Sequence, residues 1–327
     1  MATRHWHELA DRVLEGYRLT KEEGLAVLNS PDSELLTLLD AAYQVRRHYF
    51  GNRVHLNFLM NARSGLCRED CGYCSQSRTS LAEIPKYSLV APDALLDGAR
   101  MAAERHAKTY CTVLSGREPL EEDLEVIASV VPRIKAQWPL KVCLSPGFLT
   151  TEQARQLKAC GVDRINHNLN TSRRFYPSIC TTHDYQQRLE TLQAVRAADM
   201  EICSGGIVGM GEDPMDVVEL ALAFGELAVD AQPINFLLPI PGTRMENVRT
   251  LNPRYCLKVL ALMRLANPPT ELRIAAGREE HLGPLQPLGL FPACSIFVGD
   301  YLTCKGQPPE DDYRMIEALG FEIAEAR

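Results

Sequence analysis

Eight short apolar runs, set between longer stretches of helical periodicity, constrain this chain more than any other feature of its sequence. The runs begin near Val54 (VHLNFLM), Thr109 (TYCTVLS), Lys141 (KVCLS), Asp163 (DRINHNL), Met200 (MEICSG), Pro233 (PINFLL), Glu271 (ELRIAA) and Cys294 (CSIFVG). Residues 92–107, 120–137, 151–160, 184–198, 213–228 and 253–266 read as amphipathic helices between them, with Thr150 and Gln153 forming one capping-box start. Strands joined through helices run parallel, because parallel neighbours need a long crossover. About eight such units favour a closed (β/α)8 barrel of the TIM type, and an open doubly wound sheet is the alternative. A length of 327 residues suits one such barrel.

The first 50 or so residues stand outside this alternation. Thr20 and Glu23 form a capping-box pattern, Ser30-Pro31 reads as a helix start, and Gly51 after Tyr49-Phe50 reads as a stop. The expected organisation is an N-terminal helical extension over 1–50 and a barrel over 51–327 ending in a helix. The first 20 residues lack the apolar core of a secretory signal, and Glu8, Asp11 and Glu15 argue against an organellar transit peptide. No stretch approaches a membrane span, so a cytoplasmic chain with no membrane partner is expected. A net charge of −7 without a long basic block argues against a nucleic-acid partner.

In a reducing compartment, an odd count of 11 cysteines in a chain this long does not read as a disulfide framework and points to metal or redox chemistry. Cys67, Cys71 and Cys74 form a C-x3-C-x2-C run just after the first strand. A loop in that position lies at the catalytic mouth of a barrel. Gly65 and Gly72 let the loop turn sharply around a bound object. Three thiolates suit a soft metal centre, whereas a closed structural zinc site wants four ligands and the next cysteine is the distant Cys111. A four-iron cluster held by three cysteines leaves one iron open and fits the count; a zinc knuckle or a chance grouping is the alternative.

Cys111, Cys143 and Cys203 fall in the second, third and fifth strands, and Arg273 in the seventh. A single strand cysteine is usually a small core residue. Three of them pointing inward would converge with Arg273, whose buried guanidinium needs a partner. Asn166, Asn168 and Asn170 alternate along the fourth strand and so share a face toward the interior, with Ile165 and Leu169 outward; a surface loop is the alternative. His167 is expected to face outward, and His48, His55, His106, His183 and His281 to be packing or surface residues. The glycine-rich stretch from Gly205 to Gly211 would let backbone approach a ligand closely.

The first cysteine run, with Tyr73 before its last cysteine, resembles the signature of the radical S-adenosylmethionine (SAM) superfamily. YCTVLSGR, KVCLSPG, NHNLNTS, ICSGGIVGMGE and LRIAAGRE resemble the matching stretches of the biotin synthase family, and the likeness runs from about Asp40 to Phe321. The resemblance implies a [4Fe-4S] cluster on Cys67, Cys71 and Cys74, whose open iron is chelated by the amino and carboxylate groups of SAM. It implies a sulfur-donating [2Fe-2S] cluster on the catalytic set Cys111, Cys143, Cys203 and Arg273. It implies SAM contacts from Tyr73, Asn168, Asn170, Arg188, Gly205, Gly206 and Ile207, and dethiobiotin contacts from Asn166, Asn168 and Asn235. Many relatives carry Asp at the Asn170 position, and without the family Arg188 reads equally as an exposed helix residue. The implied reaction inserts sulfur into dethiobiotin to form biotin, the last step of biotin biosynthesis. Implied partners are flavodoxin or ferredoxin as electron donor, iron–sulfur assembly proteins, and a second copy in a homodimer. A hydrogenase maturase or methylornithine synthase type of barrel would need only the first cysteine set, and a non-catalytic metal-binding protein neither chemistry. Cys160, Cys180, Cys256, Cys294 and Cys304 match no ligand position and are taken as structural.

Overall fold

A computed structural model describes residues 2–324. Its strands are β1 (Arg53–Arg63), β2 (Thr109–Leu114), β3 (Lys141–Ser145), β4 (Arg164–Asn166), β5 (Glu201–Cys203), β6 (Gly206–Val208), β7 (Ala231–Phe236), β8 (Glu271–Ile274), β9 (Ser295–Phe297) and β10 (Glu322–Ile323). All pairings are parallel, in the order β10-β1-β2-β3-β4-β5-β7-β8-β9. The return pairing of β1 with β9, His55 beside Ser295, closes the barrel and sets aside the open sheet. β6 resumes the fifth stave after a break and pairs with β7, while β10 only extends the sheet beside the start of β1.

Local chemistry explains where the outer helices begin. Thr150, Asp184 and Asp213 each cap the third residue of a helix, which returns a side-chain bond to the cap. Asn252 caps the helix Pro253–Ala266, whose proline lacks only an N–H that would be orphaned there. Three helices precede the barrel: α1 (Ala2–Leu14), α2 (Lys21–Leu28), started by the expected Thr20–Glu23 box, and α3 (Leu35–Phe50). Ser30 does not cap α3; its hydroxyl donates to the Val27 carbonyl at 2.8 Å and a 3-10 turn, Asp32–Glu34, leads in. α3 packs against Pro253–Ala266, and the buried Arg46 ties it to the barrel by donating to the carbonyls of Arg53 (2.9 Å) and Ala293 (3.3 Å). No described helix is long and apolar enough to cross a membrane.

The fourth stave departs from expectation. β4 ends at Asn166, so Asn168 and Asn170 do not lie on a strand. Asn170 has φ +70, a left-handed conformation that asparagine tolerates better than most residues, and forms an isolated bridge to Gly206. The fifth stave breaks at the same level, because the Asn170 backbone hydrogen-bonds to Gly205 and Ile207.

Candidate functional site

The barrel mouth holds a cavity of about 370 Å³. At its inner end stand Cys111 on β2, Cys143 on β3 and Cys203 on β5, all buried, with Arg273 from β8. Cys111 and Cys143 are direct cross-strand partners. Ala231, Ala275 and Phe297 complete this layer, and the two alanines leave space beside the sulfurs that larger side chains would fill. The neighbouring Cys143 thiol and the Arg273 charge draw Cys111 and Cys203 below their ordinary value, while Cys143, shared between them, is pushed up.

Arg273 is held from below. Its Nη2 donates to Glu271 Oε1 at 2.6 Å and its Nε to Ser295 Oγ at 3.3 Å, and neither bond uses Nη1. Ser295 Oγ donates to the same Glu271 oxygen at 2.8 Å, and Glu271 Oε2 accepts from Arg164 Nη1 at 3.1 Å. Burial would raise the Glu271 carboxyl, but Arg273 and Arg164 outweigh it and hold the group well below its ordinary value. The buried cation thus has a carboxylate partner as well as the cavity.

Cys67, Cys71 and Cys74 line the same cavity from the loop after β1, and Tyr73 lines it beside them. The two acids between the cysteines anchor that loop. Asp70 accepts from the backbone N–H of Thr181 at 2.9 Å and from the Thr181 hydroxyl. Glu69 accepts from Arg117 Nη1 at 3.0 Å, from the Thr182 hydroxyl, and from His183 Nδ1 at 2.5 Å. Arg244 Nη2 donates to the Asp70 carbonyl at 2.7 Å and the Ile179 carbonyl at 3.0 Å. Cysteine spacing alone does not show these anchors.

Arg188 turns inward from the helix Tyr185–Ala197 rather than to solvent. Its Nε donates to the Tyr176 hydroxyl at 2.7 Å, its Nη2 lies 2.9 Å from His183 Nε2, and its guanidinium stands 5.6 Å from the Phe148 ring centroid. Because Nε2 accepts from Arg188, the buried His183 donates through Nδ1 to Glu69, so it belongs to the site and not to general packing. Cys180, expected to be structural, stands with its Sγ 3.8 Å from Cys71 Sγ. Its thiol is drawn down to about 4, first by the hydrogen bond from Cys71, while Cys71 is pushed up.

Asn166, Asn168, Asn170 and Asn235 all line the cavity, although only Asn166 and Asn235 do so from strands. Asn166 Nδ2 donates to Ser145 Oγ at 3.2 Å, and Asn168 Oδ1 accepts from the Gly205 N–H at 2.9 Å. Asn235 donates to the Gly206 carbonyl at 3.1 Å and accepts from the Ala276 N–H at 3.2 Å. His167 was expected to face outward; it is buried on the cavity wall, 5.1 Å from the Phe148 ring, because the chain leaves strand geometry at that point. Ile207 lines the cavity but Gly205 and Gly206 do not. Their glycines answer to the protein itself: a Cβ at Gly205 would lie 1.9 Å from the Pro233 carbonyl oxygen, and one at Gly206 2.4 Å from Leu220 Cδ2.

The donor sets suit iron–sulfur clusters. Among the described residues, only Cys71, Cys180 and His183 bring three such donor atoms within 4.8 Å of one another. Neither the three motif thiols nor the three barrel thiols all lie within 4.8 Å of one another, so neither set is gathered around a single ion, and both leave room for polynuclear clusters with thiolate ligands. Residues 63–224 match the radical SAM superfamily, and residues 233–322 the biotin and thiamin synthesis associated domain. The fold is similar to methylornithine synthase, with a TM-score of 0.84 at 21% identity over 97% of this chain and 98% of that one. It is also similar to the FeFe-hydrogenase maturase of Carboxydothermus hydrogenoformans, with a TM-score of 0.82 at 16% identity over 98% of this chain and 80% of that one. A biotin synthase of Lysinibacillus sphaericus is 53% identical over 98% of this chain and 96% of its own length. One of Bacillus subtilis is 49% identical over 97% and 95%. With that identity over nearly its full length, and with both domains present, the chain belongs to the biotin synthase family of radical SAM enzymes.

Proposed function

We propose that the chain converts dethiobiotin to biotin with a [4Fe-4S] cluster on Cys67, Cys71 and Cys74 and a [2Fe-2S] cluster on Cys111, Cys143, Cys203 and Arg273. The observation that supports it best is that both cysteine sets and Arg273 line one cavity. When bound, the clusters and SAM supply a carbon-centred radical that removes hydrogen from saturated carbon, and the sulfur that replaces it, chemistry beyond side-chain acids and bases.

The chain's own residues bind and orient. Arg188, braced by Tyr176 and His183, offers a fixed cation to the SAM carboxylate. Tyr73, Asn168, Asn170 and Ile207 contact the rest of SAM, with Gly205 and Gly206 setting the backbone that carries them. Asn168 has its carbonyl engaged by Gly205, which leaves its amide hydrogens for ligand. Asn166 and Asn235 hold the polar ring of dethiobiotin; bonds to Gly206 and Ala276 fix the Asn235 amide in one orientation. Leu59, Val113 and Phe297 give the cavity an apolar wall that keeps water from a reactive radical. Electrons come from flavodoxin or ferredoxin, and assembly proteins load the clusters. The chain works as a cytoplasmic homodimer, with residues 1–50 as an extension to the barrel of 51–327.

The test is anaerobic reconstitution followed by iron and sulfide analysis, Mössbauer spectroscopy and a dethiobiotin assay. Two cluster types are expected. Cys67→Ala, Cys71→Ala or Cys74→Ala should abolish SAM cleavage, and Cys143→Ala should keep SAM binding but make no biotin. Normal biotin formation by Cys143→Ala, or 5′-deoxyadenosine formed at the normal rate without Cys67, would overturn the reading.

A further inference from the structure

Behind the first cysteine loop, Cys71 Sγ, Cys180 Sγ and a ring nitrogen of His183 lie within 4.8 Å of one another, and all three residues are buried. This trio is absent from the ligand sets above except for Cys71. Its dimensions are those of one small ion. Two thiolates on a tetrahedral zinc, at about 2.3 Å each, stand about 3.8 Å apart, and a thiolate and an imidazole nitrogen about 3.6 Å apart. The Cys71–Cys180 separation is 3.8 Å, and Cys180 Sγ lies 3.7 Å from His183 Nε2 and 3.3 Å from Nδ1, the nitrogen that Glu69 engages. Two corners of an iron–sulfur cluster would hold their thiolates farther apart, because each binds a different iron and points away from the centre.

The surroundings complete such a site. His183 Nδ1 is held 2.5 Å from the Glu69 carboxylate, the carboxylate–histidine arrangement that orients a metal-bound imidazole. Asp70 Oδ1 lies 3.2 Å from Cys180 Sγ and adds negative charge. Nε2 would exchange its bond to Arg188 for the ion, and Arg188 would keep the Tyr176 hydroxyl. A water completes four-coordination, as in three-ligand zinc sites.

We propose that the cluster-free chain binds one thiophilic divalent cation through Cys71, Cys180 and His183, and that this ion and the four-iron cluster exclude each other because both need Cys71. The exclusion rests on the reading given under Proposed function; the ion site itself does not. The ion also draws His183 away from Arg188, so it disturbs the cation assigned above to SAM together with the cluster loop.

The test uses the full-length chain, stripped of metal and reduced under anaerobic conditions, with Co²⁺ as spectroscopic probe and Zn²⁺ as competitor. One equivalent should give the visible bands of a tetrahedral ion and a thiolate-to-cobalt charge-transfer band. X-ray absorption on the wild-type cobalt form should count two sulfur ligands and at least one imidazole. Cys180→Ser and His183→Ala should each weaken Zn²⁺ binding about tenfold or more, and Cys67→Ala much less. Three sulfurs around cobalt, or a loss on Cys67→Ala as large as on Cys180→Ser, would move the ion to the cysteine motif and overturn the site. Zinc loading should slow later iron and sulfide uptake in the wild type but not in Cys180→Ser. Equal uptake by zinc-loaded and zinc-free wild type would overturn the exclusion while leaving the cluster assignment intact.

Discussion

Replacing Glu271 by leucine would strip the inner thiol site of its only described carboxylate support. Glu271 accepts from Arg273 at 2.6 Å, Ser295 at 2.8 Å and Arg164 at 3.1 Å. The side chains of Arg273 and Arg164 are only 1% and 5% exposed. Removing one partner of a buried pair leaves an uncompensated charge, at about 3–5 kcal/mol. Arg164 retains Glu201 at 2.8 Å, so the stranded ion is Arg273 and the loss belongs near the lower end, about 3 kcal/mol. At about 2.1 cal/mol/K per residue, 327 residues give about 1.5 °C per kcal/mol, so Tm of the cluster-free chain should fall by about 4–5 °C. Glu271→Gln, whose amide oxygen can keep the bonds from Arg273 and Ser295 while its NH2 cannot accept from Arg164, should fall less. The acid dependence has a definite sign. A carboxylate held below its ordinary 4.5 contributes fully above that pH, and the contribution is lost as pH falls toward the lowered native value. The Tm gap between wild type and Glu271→Gln should therefore narrow below pH 4.5. Thermal unfolding followed by circular dichroism measures both. A Tm for Glu271→Leu within about 1 °C of wild type, less than 1 kcal/mol, would refute the reasoning, as would a gap that widens in acid.

Arg188→Ala should raise the KM for SAM about tenfold or more, the loss of one charge-assisted pair, and Arg188→Lys should recover only part of it; an unchanged KM in SAM-cleavage kinetics would remove Arg188 from that role. Gly205→Ala has no room for its methyl, 1.9 Å from the Pro233 carbonyl oxygen, and should lower Tm sharply or yield insoluble protein; a wild-type Tm would contradict the close approach. Burial holds His55 down to about 4, so the unfolded chain takes up a proton below 6.5 that the folded chain refuses. That linkage costs stability as pH falls through this window, about 3 kcal/mol in all, and His55→Gln should flatten the fall when unfolding is measured from pH 7 to 4.

The barrel was legible because its signal is local. Each stave is a short apolar run, several helices carry their own caps, and parallel pairing follows from their alternation. The irregular stretch after Asn166 was not legible, since its causes are the left-handed Asn170 and the pressure of Pro233 on Gly205, a contact between residues far apart in sequence. That is why His167 faces the cavity against the strand alternation. Arg188 did carry a usable signal: it lies three residues after Tyr185 and four before Leu192, both buried, and so on the inward face of its helix. Spacing reveals the donors that one loop holds, as at Cys67, Cys71 and Cys74, but not the distant groups behind them. Nothing local marks Glu69 and Asp70, which stand between the cysteines, or Thr181-Thr182-His183, which precede a helix that Asp184 caps. Folding then sets these two polar segments against each other across more than 100 residues, so that the acids fix the loop and His183 braces Arg188. The same juxtaposition brings Cys180 to Cys71, which makes the rear of the cluster loop, and not only its cysteines, a determinant of which metal the chain can hold.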